Sequence, residues 1–145
     1  MNGRHGFYYE DLSVGQSASF AKTVTEADLV LFAGVTGDTN PVHLDQEFAE
    51  STMFKGRIAH GMLGASYIST VIGTRLPGPG TIYMGQTLKF RAPVRVGDTV
   101  TARVTVTAID PEKRRLTLET LCLGAGKGVI EGEAQGMLPR PADAA

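Results

Sequence analysis

The segment HGMLGASYISTVIGTRL, residues 60–76, constrains the fold most, because it predicts a helix that must be buried. Its large apolar residues fall on more than one helical face and its other positions are mostly small, so the helix is expected to be apolar nearly all round. Pro77 and Pro79 end it, since proline cannot continue a helix. Such a helix needs protein around it on several sides.

Four segments with the two-residue period of β-strands follow this helix. They are TIYMGQTLKFRAPV, DTVTARVTVTAI, RRLTLETLCLG and KGVIEGEAQGML, and the first is expected to place Ile82, Met84, Leu88 and Phe90 on one side. An earlier strand is expected over GQSASFAKTV, residues 15–24. This order predicts an α+β fold, in which one antiparallel sheet wraps around a long central helix.

The expected sheet has an edge that one chain leaves unprotected. A single sheet cannot cover a helix that is apolar all round, and the strand GTIYMGQTLKF is long and carries few charges. A strand of that kind is a hazardous free edge, and pairing with a second copy would remove it. We therefore expect a homodimer.

Between the first strand and the long helix, the sequence predicts short helices joined by a loop. Thr25 is placed to cap a helix over TEADLVLFAGVT, with Asp28 three residues on, and Gly37 weakens that helix at its end. Asp38 then lies just past the helix. A second short helical piece is expected over DQEFAEST, residues 45–52.

The bulk properties exclude several classes of protein. Residues 1–139 fit a single domain, followed by an expected disordered tail at 140–145. The net charge of −1 argues against a nucleic-acid partner. Cys122 is the only cysteine, so no intrachain disulfide or thiolate zinc cluster can form, and it is expected to be a buried hydrophobe. No signal peptide or membrane-length apolar run is seen, which predicts a cytoplasmic protein without a membrane partner.

The run GDTNPVH, residues 37–43, carries an acidic and an imidazole side chain in a stretch of turn-forming residues. One interpretation is a turn-forming Asp38 beside an incidental surface His43. The other is functional, because a rigid loop that holds a carboxylate next to an imidazole can divide acid and base roles near neutral pH. No metal or cofactor is required for that chemistry, and none is expected.

The start of the long helix offers a site for developing negative charge. Unpaired amides and a partial positive charge lie at a helix N-terminus, and Gly61 would let a ligand oxygen approach its amide. Gly61 is equally well explained by close helix packing. His60 is explained as a structural residue bonded to backbone or as part of the site.

The run VTGDTNPVHLD, followed by GRIAHGML, resembles the MaoC-like family of hot-dog-fold proteins, whose members include (R)-specific enoyl-CoA hydratases. The resemblance covers residues 7–139. It implies that Asp38 and His43 are the catalytic pair, which adds water to a trans-2-enoyl thioester, and that the Gly61 amide binds the thioester oxygen.

The same resemblance implies further substrate-binding residues and an assembly. Ser69 best matches a helix serine near the family's site, Asn40 shapes the motif turn, and His60 adjoins Gly61. The implied dimer joins two sheets into one, with sites at the subunit interface. The acyl-CoA tail would lie in an apolar slot, and Lys55 and Arg57 are candidate anchors for its adenosine end, unless they are solvated loop charges.

Two other functions stay open on the sequence. A thioesterase of the same fold usually carries a carboxylate on the central helix, and residues 60–76 contain neither Asp nor Glu. A non-catalytic acyl-thioester binding subunit would be expected to lose Asp38 or His43, and both are present. Hydration, or dehydration in the reverse direction, is therefore the function that the sequence favours.

Overall fold

The computed structural model describes residues 5–141, which fold as a sheet of six strands around one long helix. In chain order the strands and helices are β1 (Ser17–Thr23), α1 (Glu26–Thr36), α2 (Pro41–Leu44), α3 (Gln46–Glu50), α4 (Gly61–Thr74), β2 (Ile82–Gln86), β3 (Lys89–Phe90), β4 (Thr99–Asp110), β5 (Arg115–Gly124) and β6 (Lys127–Met137). A 3₁₀ turn, Tyr9–Asp11, precedes them. The predicted α+β class is confirmed. Residues 142–145 of the expected tail lie outside the described range.

The sheet is antiparallel throughout, in the order β1-β4-β5-β6-β2, and β3 also pairs with β6. Buried and exposed side chains alternate along β4 and β5, as a sheet covered on one face requires. The core lies between that covered face and α4. Cys122 is fully buried in it, as predicted, and burial raises the pKa of its thiol to about 12.

Local rules explain the short helix that leads to Asp38. The Thr25 side chain accepts from the Asp28 amide, while the Asp28 carboxylate accepts from the Thr25 amide, which makes a reciprocal cap. Gly37 ends the helix at φ 81, in the left-handed region that favours glycine. Asp38 therefore leaves α1 at a fixed position, as the sequence predicts.

The expectation that the long helix is buried all round is wrong for this chain taken alone. Leu63, Tyr67, Ile68, Val71 and Ile72 face the core, but the opposite face of α4 is open. That open face carries one large apolar residue, Met62, together with the small residues Ser66, Ser69 and Gly73. Small residues contribute little apolar area, so the helix has an inner and an outer side.

The first predicted strand after α4 is divided into β2 and β3. The register against β6 shifts between Tyr83 and Gly85, and a Cβ on Gly132 would lie only 1.8 Å from the carbonyl oxygen of Thr87. The chain thus crosses close above Gly132 between the two pieces. Three of the four side chains expected on one side of this strand, Ile82, Met84 and Phe90, are exposed.

β2 forms one edge of the sheet and β1 forms the other. Within residues 5–141 no helix has the length and apolar character needed to cross a bilayer.

Candidate active site

A cavity of about 520 Å³ opens beside the N-terminal half of α4. Asp38, His43, His60 and Gly61 all line it, so the structure brings together four of the six predicted site residues. Most of the remaining wall is apolar and comes from α4, the sheet, and the segments 53–59 and 90–94. A backbone hydrogen bond of 2.7 Å from Ala59 to Val94 joins those two segments.

The loop after α1 presents the Asp38 carboxylate to this cavity. The Asp38 amide donates to the Thr36 hydroxyl at 3.2 Å, and Asp38 Oδ1 accepts from the Asn40 amide at 3.2 Å. The turn role that the sequence allowed for Asp38 is therefore present. It uses one carboxylate oxygen and leaves the other for a ligand.

Asn40 and Pro41 build the single turn that carries His43. Asn40 Oδ1 caps α2 by accepting from the Val42 amide at 3.1 Å, and Pro41 occupies the first helical position. His43 is only 8% exposed, so the alternative of an incidental surface histidine is wrong. Asn40 shapes the loop but does not line the cavity.

The hydrogen bonds of His43 fix its tautomer. Nδ1 lies 2.8 Å from the carbonyl oxygen of Ile58, which can only accept, so Nδ1 carries the proton. Burial lowers the pKa of His43, and nearby His60 lowers it further, against opposing effects of the Ile58 bond and Asp38. His43 is thus neutral at pH 7, with Nε2 free to accept a proton.

His60 connects the two candidate catalytic residues. Its ring stacks on His43 with centroids 3.9 Å apart, and its Nε2 donates to the Asp38 carbonyl oxygen at 3.0 Å. It is 2% exposed, and its Nδ1 is buried without a hydrogen-bond partner among the described residues. His60 therefore acts on the loop that presents Asp38, as the structural interpretation required.

Arg57 binds the segment that carries His43 and is not a solvated surface charge. Its Nε donates to the His43 carbonyl oxygen at 2.6 Å, and its Nη1 pairs with Glu26 at 2.8 Å. These contacts tie the turn carrying His43 to the start of α1. Arg91, which the sequence analysis missed, is the cation that lines the cavity, where it pairs with Glu131 at 3.2 Å.

The N-terminus of α4 is open toward the cavity. His60, at the N-cap position, makes no side-chain cap bond, and the Leu63 amide donates to the His60 carbonyl oxygen at 3.0 Å, so the Gly61 and Met62 amides are left for another acceptor. A Cβ on Gly61 would lie 2.7 Å from the ring of Phe90. Packing therefore accounts for glycine at this position, in addition to any role in binding.

Ser69 is not brought to the cavity in the single chain. It lies on the exposed face of α4, eight residues beyond Gly61, and is absent from the cavity wall. At roughly 1.5 Å per residue, it is about 12 Å along the helix axis from Gly61.

Asp38, His43 and His60 also bring potential metal-ligand atoms within 4.8 Å of one another. Two of the imidazole nitrogens already donate to backbone carbonyls, however, and the two rings are stacked at an interplanar angle of 28°. One nitrogen on each ring is thus left to bind a metal ion or to take part in proton transfer.

The chain is similar to a family of known proteins over most of its length. The model of the MaoC-like domain matches residues 12–127. An (R)-specific enoyl-CoA hydratase of Rhodospirillum rubrum is 62% identical over 132 residues, covering 91% of this chain and 92% of the relative. A 3-hydroxybutyryl-CoA dehydratase of Methylorubrum extorquens is 48% identical over 137 residues, covering 94% and 87%.

A solved structure agrees with the fold. The unliganded R-hydratase PhaJ1 of Pseudomonas aeruginosa superposes with a TM-score of 0.88 at 48% identity, covering 94% of this chain and 88% of that protein.

Proposed function

This chain belongs to the MaoC-like family, and on that premise we infer that it is a hydro-lyase, adding water to trans-2-enoyl-CoA to give (R)-3-hydroxyacyl-CoA and catalysing the reverse dehydration. Its fold is the hot-dog fold, a sheet wrapped around the central helix α4. The observation that carries the assignment of roles is that Asp38, His43 and Gly61 line one apolar cavity.

We propose that His43 and Asp38 hold and activate one water. Neutral His43 accepts a water proton at Nε2, because its Nδ1–H is held by Ile58. The free Asp38 oxygen accepts a hydrogen bond from the same water and balances the positive charge that forms on the imidazole. The water oxygen bonds to C3, and the C2=C3 electron pair moves toward C2 and the thioester carbonyl.

The Gly61 amide is proposed to receive the resulting enolate oxygen. An uncapped helix N-terminus in an apolar cavity favours negative charge, and one such donor contributes about 3–4 kcal/mol of transition-state stabilisation. Imidazolium His43 then returns its proton to C2, which completes the addition of water and regenerates neutral His43. His60 serves as a positioning residue through its bond to the Asp38 backbone.

We propose Arg91 as the cation nearest to the phosphates of coenzyme A. It lines the cavity and is half-exposed, whereas Arg57 is bound to His43 and Glu26. Arg57 is therefore not proposed as an anchor for the adenosine end of coenzyme A. The apolar wall beside α4 takes the acyl group.

A homodimer is proposed for the assembly. The edge strand β2 exposes Ile82, Tyr83 and Met84, and the exposed face of α4 lacks a cover within the described chain. Pairing of two β2 edges would bury both surfaces. In such a dimer, a partner's surface would come close to Ser69, so its proposed part in substrate binding belongs to the assembled protein.

We also propose one domain over residues 1–139 and a cytoplasmic location. The described residues share one sheet and one core, which supports the first proposal. The lone buried thiol, Cys122, is compatible with a reducing compartment.

The experiment that tests the function follows the ultraviolet absorbance of the conjugated thioester in crotonyl-CoA, with chiral analysis of the product. Asp38→Asn should reduce turnover by roughly 100-fold or more, because the negative charge that holds the water and balances the imidazolium of His43 is lost. Asp45→Asn is the matched control, since Asp45 Oδ1 caps α3 and the amide oxygen of asparagine can do the same.

Each alternative function would give its own result in the crotonyl-CoA assay. Release of free thiol without loss of the conjugated band would identify a thioesterase. Tight binding of crotonyl-CoA without turnover by the wild type would identify a binding subunit. Either result would overturn the proposed hydration.

A further inference from the structure

The segment that connects α3 to α4 packs against the turn that carries His43. The Ile58 amide donates to the Val42 carbonyl oxygen at 3.3 Å, and the Ile58 carbonyl oxygen accepts from His43 Nδ1 at 2.8 Å. Arg57 adds a bond of 2.6 Å from its Nε to the His43 carbonyl oxygen. His43 is therefore held at two points, at its ring by Ile58 and at its backbone by Arg57.

Arg57 is itself held in one orientation by several parts of the chain. Its Nη1 pairs with Glu26 in the first turn of α1 at 2.8 Å, and its side chain is only 16% exposed. Its backbone amide donates to Gln46 Oε1 at 3.3 Å, and its carbonyl oxygen accepts from Arg95 Nη1 at 3.4 Å. Arg57 thus joins α1, α2, α3 and the segment that precedes β4.

The turn that carries His43 depends on such contacts for its position. α2 has only four residues, and a helix that short has little stability of its own. The bond from Arg57 is charge-assisted and partly buried, so it is stronger than a bond between neutral groups and is poorly replaced by water. Removing the guanidinium therefore frees the backbone of His43 to move.

Arg57 has no direct contact with the cavity. It is absent from the cavity wall, and so are three of the residues that it contacts, Glu26, Gln46 and Arg95. Of its hydrogen-bond partners, His43 alone lines the cavity. An effect of Arg57 on the reaction must therefore pass through His43.

We propose that Arg57 is a positioning residue, which fixes the turn of His43 so that Nε2 faces the water held by Asp38. This inference rests on the proposed function, because it takes His43 as the group that accepts the water proton. Proton transfer needs heavy atoms about 2.6–3.2 Å apart, and a misplacement of about 1 Å can lower the rate roughly 100-fold. Loss of Arg57 lowers kcat and leaves substrate binding unchanged.

The test measures kcat and KM for crotonyl-CoA in Arg57→Gln and Arg57→Lys, with urea unfolding to establish that each variant is folded. In Arg57→Gln, kcat should fall about 10- to 100-fold, with KM within about twofold of wild type. The lysine ammonium is a single compact charge, which can bind the His43 carbonyl or Glu26 but not both in the arginine geometry. The kcat of Arg57→Lys should therefore lie between those of wild type and Arg57→Gln.

Two control variants accompany this series. Glu26→Gln removes the exposed partner of Arg57 and keeps the bond to His43, so kcat should fall less than about threefold. Arg103→Gln changes an exposed arginine on β4 that does not line the cavity, and it should keep the wild-type kcat and KM.

A spectroscopic measurement reports on the turn without any turnover. The chain has three histidines, so ¹⁵N-labelled histidine gives few signals in an NMR spectrum. The Nδ1–H signal of His43, which is donated to Ile58, should shift or broaden in Arg57→Gln. The signal of His5, which stacks on Tyr8, is the internal reference and should stay unchanged.

A wild-type kcat in folded Arg57→Gln would overturn the inference. A loss of activity carried by KM would overturn it too, because Arg57 would then contact the substrate. Any order of kcat other than wild type above Arg57→Lys above Arg57→Gln would have the same meaning. If the wild type shows no hydration at all, the proposed function fails, and an unchanged His43 signal in Arg57→Gln would separately show that Arg57 does not position the turn.

Discussion

The imidazole rings of His43 and His60 stack with their centroids 3.9 Å apart, and the hydrogen bond of His60 ends on the backbone of Asp38 rather than on its carboxylate. One buried ring thus controls both the surroundings of the proposed base and the loop that carries the carboxylate.

Replacing His60 by alanine should change the pH profile of the enzyme as well as its rate. Both burial and His60 lower the pKa of His43, so removing the His60 ring should raise that pKa toward 6.5. The acid limb of kcat/KM should move to higher pH, and kcat should fall by about 10- to 100-fold from misplacement of the loop. A lower rate with an unmoved acid limb would contradict this role.

Acid should destabilise the protein through His43. Its folded-state pKa lies below the unfolded value, so the unfolded chain binds the proton more tightly, and stability falls as the pH drops below about 6.5. One group contributes at most about 1.4 kcal/mol per pH unit. Urea unfolding between pH 5 and pH 8 should show a weaker dependence in His43→Gln, which cannot titrate, and equal slopes would contradict the prediction.

The role of Gly61 can be separated from its packing. Gly61→Ala should cost roughly 100-fold in kcat, because the new methyl group would lie against Phe90 and beside the thioester oxygen. Phe90→Ala removes the packing conflict and is measured alone and combined with Gly61→Ala. If the double variant stays as slow as Gly61→Ala, the glycine is needed for the substrate; recovery to the Phe90→Ala rate would show that only packing matters.

Arg91→Gln should weaken binding of substrates that carry the nucleotide. An exposed ion pair contributes up to about 1 kcal/mol, so KM for crotonyl-CoA should rise about fivefold, with little change in kcat. The N-acetylcysteamine thioester of crotonate lacks the phosphates and should be unaffected. Lys89→Gln is the control, since Lys89 is exposed nearby but does not line the cavity. An equal effect on both substrates would argue against a phosphate contact.

Met84→Lys should disrupt the proposed dimer, because it places a charge on the exposed apolar edge strand. Light scattering should report a lower molar mass than for wild type at the same concentration. Val14→Lys introduces a charge at an exposed position before β1, the opposite edge, and should leave the mass unchanged. A wild-type mass in Met84→Lys would show that β2 does not form the interface.

The parts of the fold that follow local rules could be predicted from the sequence. Thr25 and Gly37 define the two ends of α1, and the Asn-Pro turn places His43 on the next helical turn. The division of β2 from β3 could not be predicted, because it depends on Gly132, more than 40 residues away from Thr87 in the chain. The exposed face of α4 was not predicted, because the number of apolar residues in the helix does not show which face the sheet covers.

The candidate site also has a part that the sequence predicted and a part that it did not. Asp38 and His43 belong to one motif, and Gly61 lies at the start of α4. The sequence therefore predicted that these three residues would line one site. The stacking of His60, the bonds of Arg57 to His43 and Glu26, and the place of Tyr67 in the cavity wall are products of tertiary packing. The sequence singled out His60 and Arg57 as candidates, but no spacing or residue pattern indicated the contacts that they make.

The loop that carries the proposed catalytic pair is secured through main-chain oxygens. His60 holds the carbonyl of Asp38, Arg57 holds that of His43, and the carbonyl of Ile58 receives the His43 ring. All three bonds survive replacement of the Asp38 side chain, and two of them survive replacement of the His43 side chain. The proposed chemistry and the architecture are therefore separable here: a descendant of this protein could lose the reaction, or acquire a different one, and keep the same loop and the same cavity.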